Sequence, residues 1–348
     1  MRPSLLRRAL LTAAFAAFTA APAAAADGVL NLYSARHYQT DEALYADFTK
    51  QTGIRINRIE AGDEALLERL RSEGRNSPAD VLLLVDAARL WRAQIDGLFQ
   101  PIRSKLLDTR IPAHLRGKDD GQGAEWYAVS TRARVIVYNT ATVKPEQVRD
   151  YQDLASPALK GKVCTRSGTH PYMLSLIGAM TEHLGEAKAE AWARGVVANF
   201  ARTPRGGDSD QIKAVATGEC GVALTNTYYL VRMMRSTAPA DREAVSKIAM
   251  VWPNQGGWGT HVNVSGGGVT RNAPNREAAI RFMEYLASDS AQAYLAEGNN
   301  EWPVVATAVS KNPTLDGLGR FKADTLPIAS VGRAQITAAK IIDRVGWR

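Results

Sequence analysis

In GVLNLYSARHYQTDEALYADFTKQTGIRINRIEAG, from Gly28, apolar positions cluster over residues 29–33 and predict a strand. They then space out as Leu44, Tyr45 and Phe48 on one side of a predicted helix, which Gly53 stops. Residues 54–59 repeat the strand pattern and ALLERLRSEG the helical one. PADVLLLVDAARLWRAQ, from Pro78, predicts a buried strand at 81–85 that runs into a helix. This β-α-β-α-β rhythm, with near-continuous apolar strands, predicts a parallel sheet covered on both faces.

WYAVSTRARVIVYNT, from Trp126, alternates strongly and reads as a strand crossing into a second lobe. YQDLASPALKGKVCTR predicts a helix and then a strand, and SLIGAMTEHLGEAKAEAWARGVVANF one long helical stretch. GECGVALTNTYYLVRMM is strand then helix, and KIAMVWPN another strand. THVNVSGGGVTRNAPNREAAIRFMEYLAS reads as a β segment, a glycine-rich bend and a helix, and two helical stretches close the chain. The pattern is that of two α/β lobes joined by more than one crossing strand, with a ligand at the carboxyl ends of the strands. The chain after residue 26 contains no internal repeat and no low-complexity segment.

The first 26 residues change the compartment. Arg2, Arg7 and Arg8 precede an apolar run at 9–21 and the small residues Ala24, Ala25 and Ala26, the pattern of an export signal cleaved near Ala26. Arg7-Arg8 matches twin-arginine export poorly, so the general secretory route is favoured. No cysteine follows the cleavage point for a lipid anchor, and no later apolar run reaches roughly 18 residues. A soluble periplasmic protein is expected. Losing three arginines takes Lys+Arg from 43 to 40 against 35 acids, so the net charge falls from +8 to +5. That excess is dispersed, without basic blocks or interleaved aromatics, and speaks against nucleic-acid binding. About 320 residues exceed a single core, which again favours two lobes. Cys164 and Cys220 read as a disulfide in an exported chain, worth roughly 4 kcal/mol for a loop of that size, with two buried free thiols as the alternative.

Candidate chemistry gathers in the loops that follow strands. SARHYQTD offers His37 and Tyr38; RSGTHPYMLSL offers Tyr172; NTYYL offers the doublet Tyr228 and Tyr229. His170 and His261 are read as structural. Phenols, with pKa near 10, are poor ligands for Zn²⁺ or Ca²⁺. A hard, highly charged cation such as Fe³⁺ deprotonates them. Four phenolates on Fe³⁺ sum to −1 with a neutral imidazole as fifth donor, and Arg132 and Arg232 are spaced to offset that charge, with Arg36 a weaker third. Each tyrosine alone is more often a packed aromatic than a ligand. Only the joint arrangement favours a metal.

These residues carry a resemblance. SARHYQTDEALYADFTKQTGI, PADVLLLVDAARLWRAQIDGLFQPI, WYAVSTRARVIVYN, KGKVCTRSGTHPYMLSL, GECGVALTNTYYL and THVNVSGGGV resemble the periplasmic ferric-iron-binding proteins, over nearly all of the chain after residue 26. The resemblance implies an α/β type II periplasmic-binding-protein fold, each lobe a mixed, mostly parallel sheet flanked by helices. The expected lobes are residues 27–130 with 256–305, and 131–255 with 306–348. It implies Fe³⁺ as transported ligand, with Fe²⁺ left open, held by His37, Tyr38, Tyr172, Tyr228 and Tyr229, with Arg132 and Arg232 behind them. It further implies a non-enzymatic monomer that delivers iron to an inner-membrane ABC permease and its ATPase. The family's other branch uses a Glu and a phosphate-type anion; at the Glu position this chain has Val85, beside Asp86. A synergistic anion, carbonate or phosphate, is therefore left open. Two rivals stand beside this reading: a same-fold receptor for a small organic or anionic solute, and a secreted hydrolase, disfavoured by the lack of G-x-S-x-G and HExxH.

Overall fold

The computed structural model describes residues 28–36 and 38–348. The expected export signal and His37 lie outside the described residues. Strands β1 (Val29–Ser34), β2 (Arg55–Glu60) and β3 (Val81–Leu84) alternate with helices α1 (Asp41–Thr52), α2 (Asp63–Glu73) and α3 (Ala87–Ile95). They pair in parallel, β1 between β2 and β3, as the rhythm of apolar runs predicts. After α4 (Lys105–Arg110) comes β4 (Tyr127–Asn139), whose alternating pattern marks the crossing strand.

The second half adds β5 (Val163–Cys164), α5 (Pro171–Leu184), α6 (Glu186–Ala198), α7 (Asp208–Ala216), β6 (Val222–Asn226), α8 (Thr227–Met234), α9 (Pro239–Ser246) and β7 (Ile248–Val251). The chain then returns through β8 (Val262–Val269), α10 (Arg276–Leu286), α11 (Asp289–Asn299), β9 (Trp302–Pro303), α12 (Pro313–Asp316) and α13 (Ile328–Val345). The strand order is β2-β1-β3-β8-β4-β6-β5, with β7 and β9 also on β4. Residues 127–133 of β4 pair with β8, whereas residues 134–139 pair with β6 and β7. One strand thus belongs to both halves of the sheet. Its antiparallel pairings, together with that of β3 with β8, account for the mixed character, since β1–β3 and β5–β6 are parallel.

The apolar interior is divided. One core takes Leu30, Phe48, Leu82, Trp126, Phe282 and Leu295. A second takes Ile136, Tyr151, Leu176, Trp192 and Trp347, and a third surrounds the Cys164–Cys220 disulfide. α13 spans the division: Ile328 and Val331 pack in the first core, Ile341 and Val345 in the second.

Three expectations are corrected. The long helical stretch is two helices, because Gly185 at φ 81° ends α5 and opens α6. YQDLASPALK forms short 3₁₀ turns, with Pro157 opening the second rather than continuing a helix. The glycine-rich bend is strand: Gly266, Gly267 and Gly268 all lie within β8. A Cβ on Gly267 would sit 2.4 Å from Leu83 and one on Gly268 2.3 Å from the carbonyl oxygen of Glu125. Glycine serves close strand contact here, not a turn.

His261, just before β8, is fully enclosed, and its Nε2 has no hydrogen-bond partner among the described residues. Burial first, then Arg134 and Arg132, pushes its pKa down from 6.5 to about 3. The folded protein therefore refuses a proton that the unfolded chain accepts. Its contribution is intact above pH 6.5 and is lost between there and about pH 3. The cost is about 1.4 kcal/mol per pH unit. His261→Asn is expected to flatten the pH dependence of urea unfolding of the metal-free protein between pH 6 and 4; a slope equal to the parent's would contradict this.

Candidate functional site

β6 runs directly into α8, with Asn226 as the N-cap residue. Tyr228 and Tyr229 therefore occupy the first turn of that helix, where their ring centroids lie 4.2 Å apart at 32°. Tyr172 is the second residue of α5, which follows β5, and Tyr38 follows β1. All four phenols stand beyond the carboxyl ends of strands and line one cavity of about 290 Å³, together with Val85 and Arg232. The Tyr172 and Tyr228 hydroxyls are 3.0 Å apart, and the Tyr38 ring meets Tyr228 edge-on at 6.4 Å. The sequence-predicted tyrosines are thus brought together.

Burial raises the pKa of Tyr38, Tyr172 and Tyr228 above the usual 10. Without a cation these phenols are neutral; a bound cation must displace their protons. Cationic groups surround the rings. Arg36 lies 5.0 Å from the Tyr38 ring, and Arg232 lies 6.0 and 5.5 Å from those of Tyr228 and Tyr229. Arg132 lies 5.7 Å from the Tyr172 ring, Arg166 5.1 Å and Arg134 6.0 Å. Arg132 donates to Ser265 Oγ at 3.2 Å and to the Val85 carbonyl, while its buried Nε has no partner among the described residues. Burial alone would lower the Arg132 pKa, but nearby carboxylates, Glu301 first and then Asp86, oppose it and favour the charged guanidinium.

His170 is the N-cap of α5: its Nδ1 accepts from the Tyr172 N–H at 3.2 Å. Burial, then Arg166 and Arg134, depresses its pKa to about 3, which keeps that nitrogen free to accept. Asp86 is buried and is not among the residues that line the cavity. Its carboxylate caps α3 through Ala88 N and accepts from Ser175, Asn263 and Gln335. The described residues hold no group of three or more His, Cys, Asp or Glu suited to a metal.

The sequence reading took Arg132 but missed Arg134, Arg166, Asp208 and Glu301. Arg134 is buried against Asp208 at 2.5 Å, Arg166 reaches Asp208 at 3.2 Å, and Glu301 meets Arg36 at 3.5 Å and Ser130 at 2.6 Å. The alternation of Ser130, Arg132 and Arg134 on β4 was the available signal, since i and i+2 share a strand face. Asp208 gives no signal in sequence, because its burial depends on contacts with distant residues.

The family model for bacterial extracellular solute-binding proteins matches residues 43–323. The chain is 49% identical over 319 residues to iron uptake protein A1 of Synechocystis sp., covering 92% of this chain and 87% of that protein. Trichodesmium FutA in complex with iron and citrate superposes with a TM-score of 0.88 at 50% identity, over 92% of this chain and 100% of that one. Apo FutA2 from Synechocystis gives 0.86 at 48%, over 92% and 99%.

Proposed function

Because the chain belongs to the bacterial extracellular solute-binding proteins, in their periplasmic ferric-iron-binding branch, we propose that it captures Fe(III) through a ring of phenolates and passes it to an ABC-type importer. The observation that carries this is the convergence of Tyr38, Tyr172, Tyr228 and Tyr229 on one cavity. Those four and His37, adjacent to Tyr38 in sequence, form the ligand set. Arg132 and Arg232 offset the surplus negative charge. Val85 leaves no carboxylate at its position, and the extra phenols supply the anionic donors instead.

The lobes are residues 27–130 with 256–305, and 131–255 with 306–348. Tyr38 stands in the first, and Tyr172, Tyr228 and Tyr229 in the second, so full coordination requires both walls and couples capture to closure. The cavity leaves room for a further donor, water or a small oxyanion, beside the ion. The protein acts in the periplasm, after cleavage near Ala26. Release follows reduction or protonation, since Fe²⁺ holds phenolates less tightly and protons compete for them.

Adding Fe³⁺ to the metal-free protein is expected to produce a visible phenolate-to-iron charge-transfer band, bleached by dithionite. A protein that stays colourless after loading would favour the organic-solute receptor instead.

A further inference from the structure

α8 meets two different surfaces at its two ends. Tyr228 and Tyr229 face the cavity, and Arg232 lies over their rings. Arg235, its C-cap residue, reaches a different part of the molecule: its Nη1 donates to the Glu297 carbonyl at 2.7 Å and to Asn300 Oδ1 at 2.6 Å. Both acceptors belong to the carboxyl end of α11. Leu230 and Met233 of α8 pack in the core around the disulfide, whereas Ala291 and Leu295 of α11 pack in the core of the opposite wall. The Arg235 contact therefore crosses from one core to the other.

The acceptors are already oriented. The last carbonyls of a helix lack intrahelical partners and carry the negative end of its dipole, so a guanidinium suits them. Asn300 ends α11 in the left-handed conformation at φ 58°, is buried, and has its Oδ1 fixed by Asn312 Nδ2 at 2.9 Å. The same turn holds the loop that bears Tyr38. Asn299 donates to Asp41 Oδ1 at 2.8 Å and pairs with Thr40, and Asp41 in turn pairs with Arg36 at 2.9 Å. Gly298 packs so closely that a Cβ would lie 2.8 Å from Thr40, and both residues line the cavity. The end of α11 thus grips the Tyr38 loop on one side and Arg235 on the other.

We infer that Arg235 is a cross-cleft clasp that holds the two walls of the iron site together and so sets how fast bound iron leaves, without touching the ion. This rests on the iron reading proposed above. Arg235 sits at the opposite end of α8 from the phenols, so its removal spares the ligands.

The test loads the full chain with Fe³⁺ and follows loss of the visible band under excess EDTA. Arg235→Ala is expected to keep the band position and the iron stoichiometry while stripping runs roughly tenfold faster, the scale of one charge-assisted hydrogen bond. Asn300→Asp keeps the left-handed turn and adds a charge opposite Arg235, and is expected to slow stripping. Stripping rates equal to the parent's in both variants overturn the clasp. A parent protein with no band overturns the iron reading instead.

Discussion

Tyr228→Phe is expected to lower Fe(III) affinity by more than about 100-fold and to shift the visible band. Loss of a group that merely supports a metal ligand costs about 10–100-fold, and loss of an anionic donor itself costs more. The substitution isolates the oxygen. Phenylalanine keeps the ring that lies edge-on to Tyr38 and packs on Tyr229, and removes only the hydroxyl that sits 3.0 Å from that of Tyr172. Packing of the metal-free protein should hardly change. Chelator competition gives the affinity, and thermal unfolding of the metal-free form gives the control. An affinity unchanged from the parent would remove Tyr228 from the ligand set.

Asp208→Ala should be the most damaging change to stability outside the apolar cores. Asp208 and Arg134 are both buried, and the carboxylate also accepts from Arg166 Nη1 at 3.2 Å and from the backbone N–H of Asn226 at 2.7 Å. Removing it strands a guanidinium in the interior, which costs about 3–5 kcal/mol. Asn226 is the last residue of β6, directly before the tyrosine helix, so the junction that aims Tyr228 and Tyr229 loosens too. Urea unfolding of the metal-free protein measures the loss. A value under about 1 kcal/mol, the range of exposed pairs, would show that water reaches this group.

Much of the fold is legible locally. Apolar runs at β1, β2 and β3 and the helical spacing between them are properties of neighbouring residues, so they survive without tertiary knowledge. The tyrosine site is legible for a related reason, because Tyr38, Tyr172 and Tyr228 each follow a strand and parallel strands deliver their carboxyl ends to one edge. What escapes depends on distant partners. The glycines of β8 resemble a turn until Leu83 and Glu125 are seen pressed against them. Arg166 looks like a solvated cation until Asp208, dozens of residues away, is buried against it. Gly185 breaks a continuous helical pattern through one backbone angle that periodicity does not register.

The position of β8 between β3 and β4 also bears on how the chain comes to be folded. β1, β2 and β3 are made first, yet the strand that joins them to the rest of the sheet arrives only with residues 262–269. At roughly 5–20 residues per second, synthesis leaves that edge of β3 open for many seconds. Closing so long a loop before its contacts reward it is slow. Until residues 262–269 arrive, β3 carries an unpaired edge, so the central sheet is the last part of the sheet to be completed although its first three strands are the first made.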